Sequence, residues 1–531
     1  MNALTLVLGS SIIFVIAYVT YGGWLAKQWG VDVKRKTPAH IKGDGVDYVP
    51  AKAPVLLGHH FASIAGAGPI VGPITAAMFG WVPVVLWIII GGIFFGGVQD
   101  FSSLFASIRH DGKSIGEVIE VNMGKKGKKL FAIFAWLTLL LVVAAFTNIV
   151  ADTFVSVPQA ATASVLFIFL AIAFGFAVYR KGVSLTIGSV IGVILLFICI
   201  ALGNMFPLVL SKDAWIGILM VYIFVASVTP VWILLQPRDY LNSFLLYAMI
   251  IGAILGLLIT RPTLQLDAFT GFTVKGQYLF PMLFVTVACG AISGFHSLVG
   301  SGTSSKQLDR EMDAKIVGYG GMLIECVLAI IAIITAAYVS KERLGELGGA
   351  INVFSDGIGN FMKSFGVPIT VGKPFVALAV SAFALTSLDT ATRLARFIFQ
   401  EFFGDAAGEK KSVLTNRYVS TTITVVLGGT LSIYGYTKVW PVFGSANQLL
   451  AALALLAVAV WLKHSGKNYK MFTIPMTFMF VVTVFALFFL IKANFIAKNY
   501  ILVVFPVLLL ILAFVLAYQA VMELKKPVPR K

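Results

Sequence analysis

Apolar residues run along this chain in blocks of helix-spanning length, separated by short polar stretches rich in Gly, Lys and Arg. Crossing the hydrocarbon of a bilayer takes roughly 20 apolar residues in a helix. Fifteen such blocks are legible, near 3–24, 56–79, 81–107, 129–151, 160–179, 183–206, 214–235, 239–260, 280–300, 315–340, 374–402, 417–437, 440–462, 472–492 and 500–523. Backbone polar groups in lipid must be satisfied within the protein, so these blocks are expected to be helices. The pattern predicts an all-α polytopic membrane protein of about fifteen transmembrane helices in one integral domain, 1–531.

Two blocks are interrupted. Span two reads GHHFASIAGAGPIVGPITAAMFG, where Gly66, Gly68 and Pro69 favour an unwound stretch. Span seven reads VYIFVASVTPVWILLQPRDY, with Ser227, Thr229 and Pro230 at a similar place. The two spans run in opposite directions with five spans between their starts, which predicts a LeuT-type five-plus-five inverted repeat. On that reading residues 1–55 form the first span and an inner loop, 56–206 one repeat (spans two to six), 207–402 the other (spans seven to eleven), and 403–531 peripheral spans. Unwound backbone at mid-membrane is where secondary transporters bind their cargo. Ser63, Gly66, Gly68, Pro69, Ser227, Thr229, Pro230 and His296 are therefore the candidate substrate-binding residues; a plain proline kink in a packed helix is the competing reading.

Composition agrees: 59% of the 531 residues are hydrophobic and 12% charged, against about a quarter charged in soluble chains. The formal net charge is +17. Of the 40 basic residues, 30 fall in alternate loops such as Lys34-Arg35-Lys36, Lys125-Lys126 and Lys410-Lys411, and in the tail. That bias sets orientation, with the N-terminus outside and the C-terminus in the cytoplasm, and it removes the need for a nucleic-acid partner. The inner loops 25–55 and 403–416 are read as sites of short surface helices, and the Gly-rich outer loop 341–372 as a lid. Cys199, Cys289 and Cys326 lie inside apolar runs with no CxxC pair, so no disulfide or metal role is expected.

A charge at membrane depth costs about 2.5–3.5 kcal/mol on insertion scales, so each marks a partner, a wet cavity or a proton. His59 and His60 open span two on different helix faces, and a proton relay and a packing role both fit them. Asp100 follows Gln99 in span three, and Glu325 lies in span ten. Asp389 and Arg393 sit four residues apart in span eleven, on one helix face, either as a local salt bridge or as a pair opened by substrate or proton. These six are the candidate proton-coupling residues. Ser301, Thr303, Ser304 and Ser305 form a hydroxyl run in span nine; Thr303 and Ser304 are candidate sodium ligands, with helix-end capping as the competing reading. Pro237 is read as ending span seven, with Asp239 as a cap. Asn447 and Gln448 are read as packing amides.

The segments GHHFASIAGAGPIVGP, GGVQDFSSLFASIRHDGKSIGEV, SVTPVWILLQPRDYLN, FHSLVGSGTSSKQL, FALTSLDTATRLARF and WPVFGSANQLLAALAL closely resemble the bacterial carbon starvation protein A family over about residues 5–465. The resemblance implies an inner-membrane carrier of the amino acid–polyamine–organocation superfamily. It implies uptake of peptides under carbon limitation, or of pyruvate by proton symport, with sodium coupling as the alternative. A channel or a nutrient-sensing receptor is the competing class, but no loop is long enough for an output domain. No HExxH, GxSxG or GxxxxGK[ST] segment points to an enzyme, a cofactor or ATP-driven pumping.

Overall fold

A computed structural model describes residues 2–44, 48–230, 233–403 and 412–526. All fifteen predicted spans are helical among these residues. Twelve helices are long and apolar enough to cross a membrane, and the bent pair Ala53–Ala65 and Gly68–Phe79 makes a thirteenth. The remaining two, Lys212–Val228 and Arg417–Ser432, are 17 and 16 residues long. Both pack against each other and against the long spans four and eleven, so they belong to the bundle despite their length. The chain is thus an all-α, multi-pass membrane protein.

The core is built around spans four (Ile115–Ser156) and eleven (Ile369–Phe403), which form the most extensive helix pair. Span four begins earlier than its apolar block, because the Lys-rich stretch before it is also helical, with a kink at Gly124 (φ 81°). Lys128 folds back to Glu120 across that kink at 2.6 Å. Spans six (Leu185–Met205) and fifteen (Ile501–Lys525) keep most of their surface outward and apolar, as lipid-facing helices do. Span thirteen (Tyr436–His464), expected to be peripheral, is instead buried along its whole apolar length. Its run of alanines lets neighbouring backbones come close.

Span two breaks where expected. Its first half ends at Ala65, Gly66 takes φ 31°, and the second half starts at Gly68 after a 44° bend. The second break does not lie in span seven. That helix runs uninterrupted from Lys212 and stops at Val228, because Thr229 and Pro230 end it rather than open its middle. The break lies in span nine, whose helix Leu279–Val287 gives way to a tight turn at Ala288–Gly290 and restarts at Gly294. The turn is carried by Ala288 at φ 23°, a backbone state that side chains rarely adopt.

The two broken helices touch at their breaks. A Cβ on Gly68 would lie 2.6 Å from Cys289 Cβ, and one on Gly72 would lie 2.6 Å from the Thr286 carbonyl oxygen. Spans three and ten each carry a π-helical turn, at Gly92–Gly96 and Lys315–Gly320, and pack against each other beside the breaks. The segment after Pro237 also differs from expectation. Pro237 sits in the first turn of span eight (Leu235–Thr260), where a missing N–H costs nothing, so it starts a helix rather than ending one.

The lid loop is largely helical, with Lys341–Leu347 followed by Ala350–Lys363. The second helix docks on the distal half of span two and on spans eight, ten and eleven. Gly357 meets Thr335, and Phe361 backbone lies against Gly256, both too close for a Cβ. Of the expected surface helices in the inner loops, Pro38–Ile41 is present, while 404–411 lies outside the described residues.

Gly68→Ala is expected to destabilise the protein by about 1–3 kcal/mol through overpacking. Cys289→Gly in the same chain should restore most of the loss, since Cys289 Cβ is the nearest obstacle. Thermal denaturation midpoints of the purified single and double variants check this.

Candidate functional site

At the break of span nine the restarting helix is capped from a distance. The Asn447 side chain of span thirteen accepts from Phe295 N–H at 2.8 Å and donates to the Ser293 hydroxyl at 3.0 Å. Gln448 donates to the Phe284 carbonyl at 2.5 Å, just before the break. These amides supply partners to backbone that the break frees. At the break of span two, Ser387 of span eleven donates to the Ser63 carbonyl at 3.2 Å. Pro69 follows Gly68 in the first turn of the distal half and has no N–H to satisfy.

Two buried clusters of ionisable groups flank the proximal half of span two. The first joins spans three, nine and ten. His296 Nδ1 lies 2.8 Å from Asp100 Oδ2, and Nε2 lies 3.4 Å from Glu325 Oε2. With its amide turned to donate, Gln99 reaches Asp100 Oδ1 at 2.7 Å and the Ser293 carbonyl at 2.9 Å, tying the cluster to the broken backbone. Asp100, His296 and Glu325 are 3, 1 and 0% exposed. His296, expected among substrate ligands, lies buried between Asp100 and Glu325 and does not line the cavity described below.

The second cluster joins spans seven, eight and eleven. Arg238 Nη1 donates to Asp389 Oδ2 at 2.5 Å, and Tyr222 OH donates to the same oxygen at 2.8 Å. Arg238 Nη2 faces Asp239 Oδ1 at 3.4 Å and Thr386 Oγ1 at 3.3 Å. The expected Asp389–Arg393 bridge is not made. Although both residues share a face, Arg393 donates instead to the Ala226 and Thr229 carbonyls at 2.7 and 2.6 Å, at the end of span seven. Helix-end carbonyls are free to accept there. The sequence reading takes Arg238 and Asp239 as gate or structural chemistry at the inner surface, with Asp239 as a helix cap, and does not single out Tyr222. Arg238 and Asp239 follow a proline that reads as a helix end, and Tyr222 reads as one aromatic among many.

A cavity of about 350 Å³ runs from His59 and Ser63 to Tyr48, Lys113 and Lys306 in the Lys-rich loops. Arg393 and Thr303 also line it. A second cavity of about 280 Å³ lies on the opposite side, under Ala350 and Asn352, and reaches Val71. Between the two, residues 64–70 of the broken span are all buried. Gly66, Gly68 and Pro69 form this plug. Ser227, Thr229 and Pro230, expected to bind substrate, lie at the end of span seven and do not line the first cavity.

His59 faces that cavity, while His60 turns away and shares a 2.7 Å hydrogen bond with the Ser304 hydroxyl. Thr303 donates to the Val299 carbonyl at 2.8 Å. Neither candidate sodium ligand is bonded to the unwound backbone of span two at 66–69 among the described residues. Among the described residues, no group of three His, Cys, Asp or Glu side chains is arranged to hold a metal ion.

A charge ledger predicts how the second cluster fails. Arg238→Met strands two buried carboxylates and should cost about 3–5 kcal/mol. Asp389→Asn leaves Arg238 facing Asp239 and should cost less. Midpoints of thermal unfolding for the two variants give the comparison; equal losses contradict it.

The carbon starvation protein CstA family model matches residues 2–347 and 338–486. The Bacillus subtilis peptide transporter CstA is 32% identical, over 98% of this chain and 97% of its own. The Helicobacter pylori (strain 26695) peptide transporter CstA is 35% identical, over 88% of this chain and 78% of its own. The Escherichia coli pyruvate/proton symporter BtsT is 33% identical, over 92% and 81%. A crystal structure of the Eremococcus coleocola manganese transporter, 11% identical, matches 91% of this chain and 98% of its own with a TM-score of 0.53, which shows a shared LeuT-type fold. The chain belongs to the carbon starvation protein CstA family.

Proposed function

We propose that this protein is a proton-coupled secondary transporter that imports a small organic nutrient, a short peptide or a monocarboxylate such as pyruvate, across a bacterial inner membrane. The relatives are named as transporters of these cargoes, one of them a proton symporter. The Lys-rich side is cytoplasmic on this reading, with the N-terminus outside. The two broken helices are spans two and nine, so the inverted repeats are spans two, three, four, seven and eight against spans nine to thirteen. The packing supports this division: span two lies against ten as nine lies against three, and eight against two as thirteen lies against nine. Spans five and six are then an inserted hairpin.

One observation carries the coupling: two carboxyls and one imidazole share a sealed site at the break of span nine, with no Lys or Arg bonded to them among the described residues. Fully ionised, Asp100, Glu325 and His296 sum to one net negative charge at membrane depth. Such a charge is costly, and one added proton cancels it. Gln99 reaches the Ser293 carbonyl within the break and His296 sits in the first turn after it, so loading that proton acts on the segment that must rearrange for the cavity to change sides. The cavity has the size of small-ligand sites in general. The docked helix Ala350–Lys363 covers the distal half of span two, and the cavity at His59 lies beyond the buried plug at 64–70, on the Lys-rich side.

In proteoliposomes, an inward proton gradient is expected to drive accumulation of labelled pyruvate or of dialanine. Glu325→Gln should abolish gradient-driven accumulation while keeping counterflow exchange. Failure of both probes to accumulate under a gradient overturns the reading, and equal loss of both activities in Glu325→Gln moves the coupling elsewhere.

A further inference from the structure

The second buried cluster has no part in the coupling described above, and its charges do not balance. Arg238 is shared by two carboxylates: Asp389 takes Nη1 and Asp239 takes Nη2. Arg238, Asp239 and Asp389 are 2, 0 and 0% exposed. Their sum is one net negative charge, and the surplus is localised. Asp239 Oδ2 is buried and has no hydrogen-bond partner among the described residues. The side chain facing that oxygen is His59, whose Nδ1 lies 3.9 Å away. His59 is also part of the cavity wall, with its side chain 19% exposed.

We propose that His59 and Asp239 form a second proton site, a port at which a proton from the cavity is loaded on His59 beside the buried Arg238–Asp389 pair. The inference rests on the proton-coupled reading above and gives that reading a second, cavity-facing step. A hydronium ion in the cavity breaks one O–H bond, and one N–H bond forms at His59 Nδ1. The imidazolium then supplies the cation that Asp239 Oδ2 lacks, and the cluster becomes neutral. With Asp239 claimed by His59, Arg238 is held by Asp389 and Tyr222 of spans eleven and seven. With His59 neutral, Arg238 is divided between Asp389 and Asp239 of span eight. The port thus alters how span eight is tied to its neighbours beside the broken span two.

The other groups facing His59 do not substitute for it. His60 on its own helix is turned to Ser304. Across the cavity, Lys113 is paired with Glu117 at 3.4 Å, while Lys306 lies over the Tyr48 ring. Glu401 shares that wall. Arg393 of span eleven is bonded to the end of span seven. His296 of span nine is held between Asp100 and Glu325.

A potentiometric difference titration of the purified full-length protein tests the site without any substrate. Between pH 5 and 8 the curves of the wild type and Asp239→Asn should differ by a fraction of a proton up to about one. The same substitution made in a His59→Gln background should leave the curve unchanged. Coincident wild-type and Asp239→Asn curves overturn the proposal, as does an equal Asp239→Asn effect in both backgrounds. Transport supplies the second readout, using whichever of pyruvate and dialanine accumulates. His59→Lys, with a fixed cation, should support counterflow whose rate varies less with pH than in wild type. His59→Gln should lose rate, and Asp239→Asn added to it should lose no more. Additive losses with an unchanged pH profile would reduce His59 to a packing residue. Absence of transport of both probes would overturn the functional reading while leaving the titration result standing.

Discussion

Two helices are broken inside the membrane, and every backbone group that the breaks release must be satisfied by protein. That constraint accounts for much of the surrounding structure. Ser387 answers the last turn before the break in span two, and Asn447 caps the restart of span nine. Span thirteen is buried because its amides are needed at that place. The breaks can meet because Gly68 and Gly72 present no side chain to Cys289 and Thr286. A bulkier surface would hold the breaks apart and leave polar backbone facing apolar side chains.

Around this joint the ionisable groups are sorted by their access to water. Asp100, His296 and Glu325 are sealed between spans three, nine and ten. Arg238, Asp239 and Asp389 are equally buried, but they are backed by His59, which faces the cavity. In both places acidic groups exceed the cations bonded to them among the described residues, and on the proton-coupled reading proposed above that surplus makes each cluster a place for a mobile proton. The basic loops are outside this arithmetic. Lys113 and Lys306 of these loops line the cavity mouth.

Helix Ala350–Lys363 gives the bundle its asymmetry. It lies across the distal half of span two and seats Gly357 on span ten. Among the described residues no such helix covers the proximal half of span two, and the cavity opens beside it. The arrangement is that of a carrier with one side shut, and what distinguishes the sides is a docked helix rather than any difference between the breaks.

Much of this was written in the chain. Apolar block length fixes the spans, because lipid admits only helices of that length, and the Gly-Ala-Gly-Pro run fixes the first break, because those residues cannot continue a helix undisturbed. The ionisable residues at membrane depth were equally visible, since each is an exception in an apolar block. Their partners were not. Asp389 and Arg393 share a face, yet each found a better partner on another helix, and Arg238 is seen as a core residue only when span eight is placed against span eleven. The second break was misplaced for the same reason. Ser-Val-Thr-Pro looks like an interruption and is an end, whereas the true interruption at Ala288 contains no proline and is held open by Asn447 from a helix some 150 residues away. Local sequence determines where a helix is weak; which weak point opens is decided by the tertiary contacts that can satisfy its backbone.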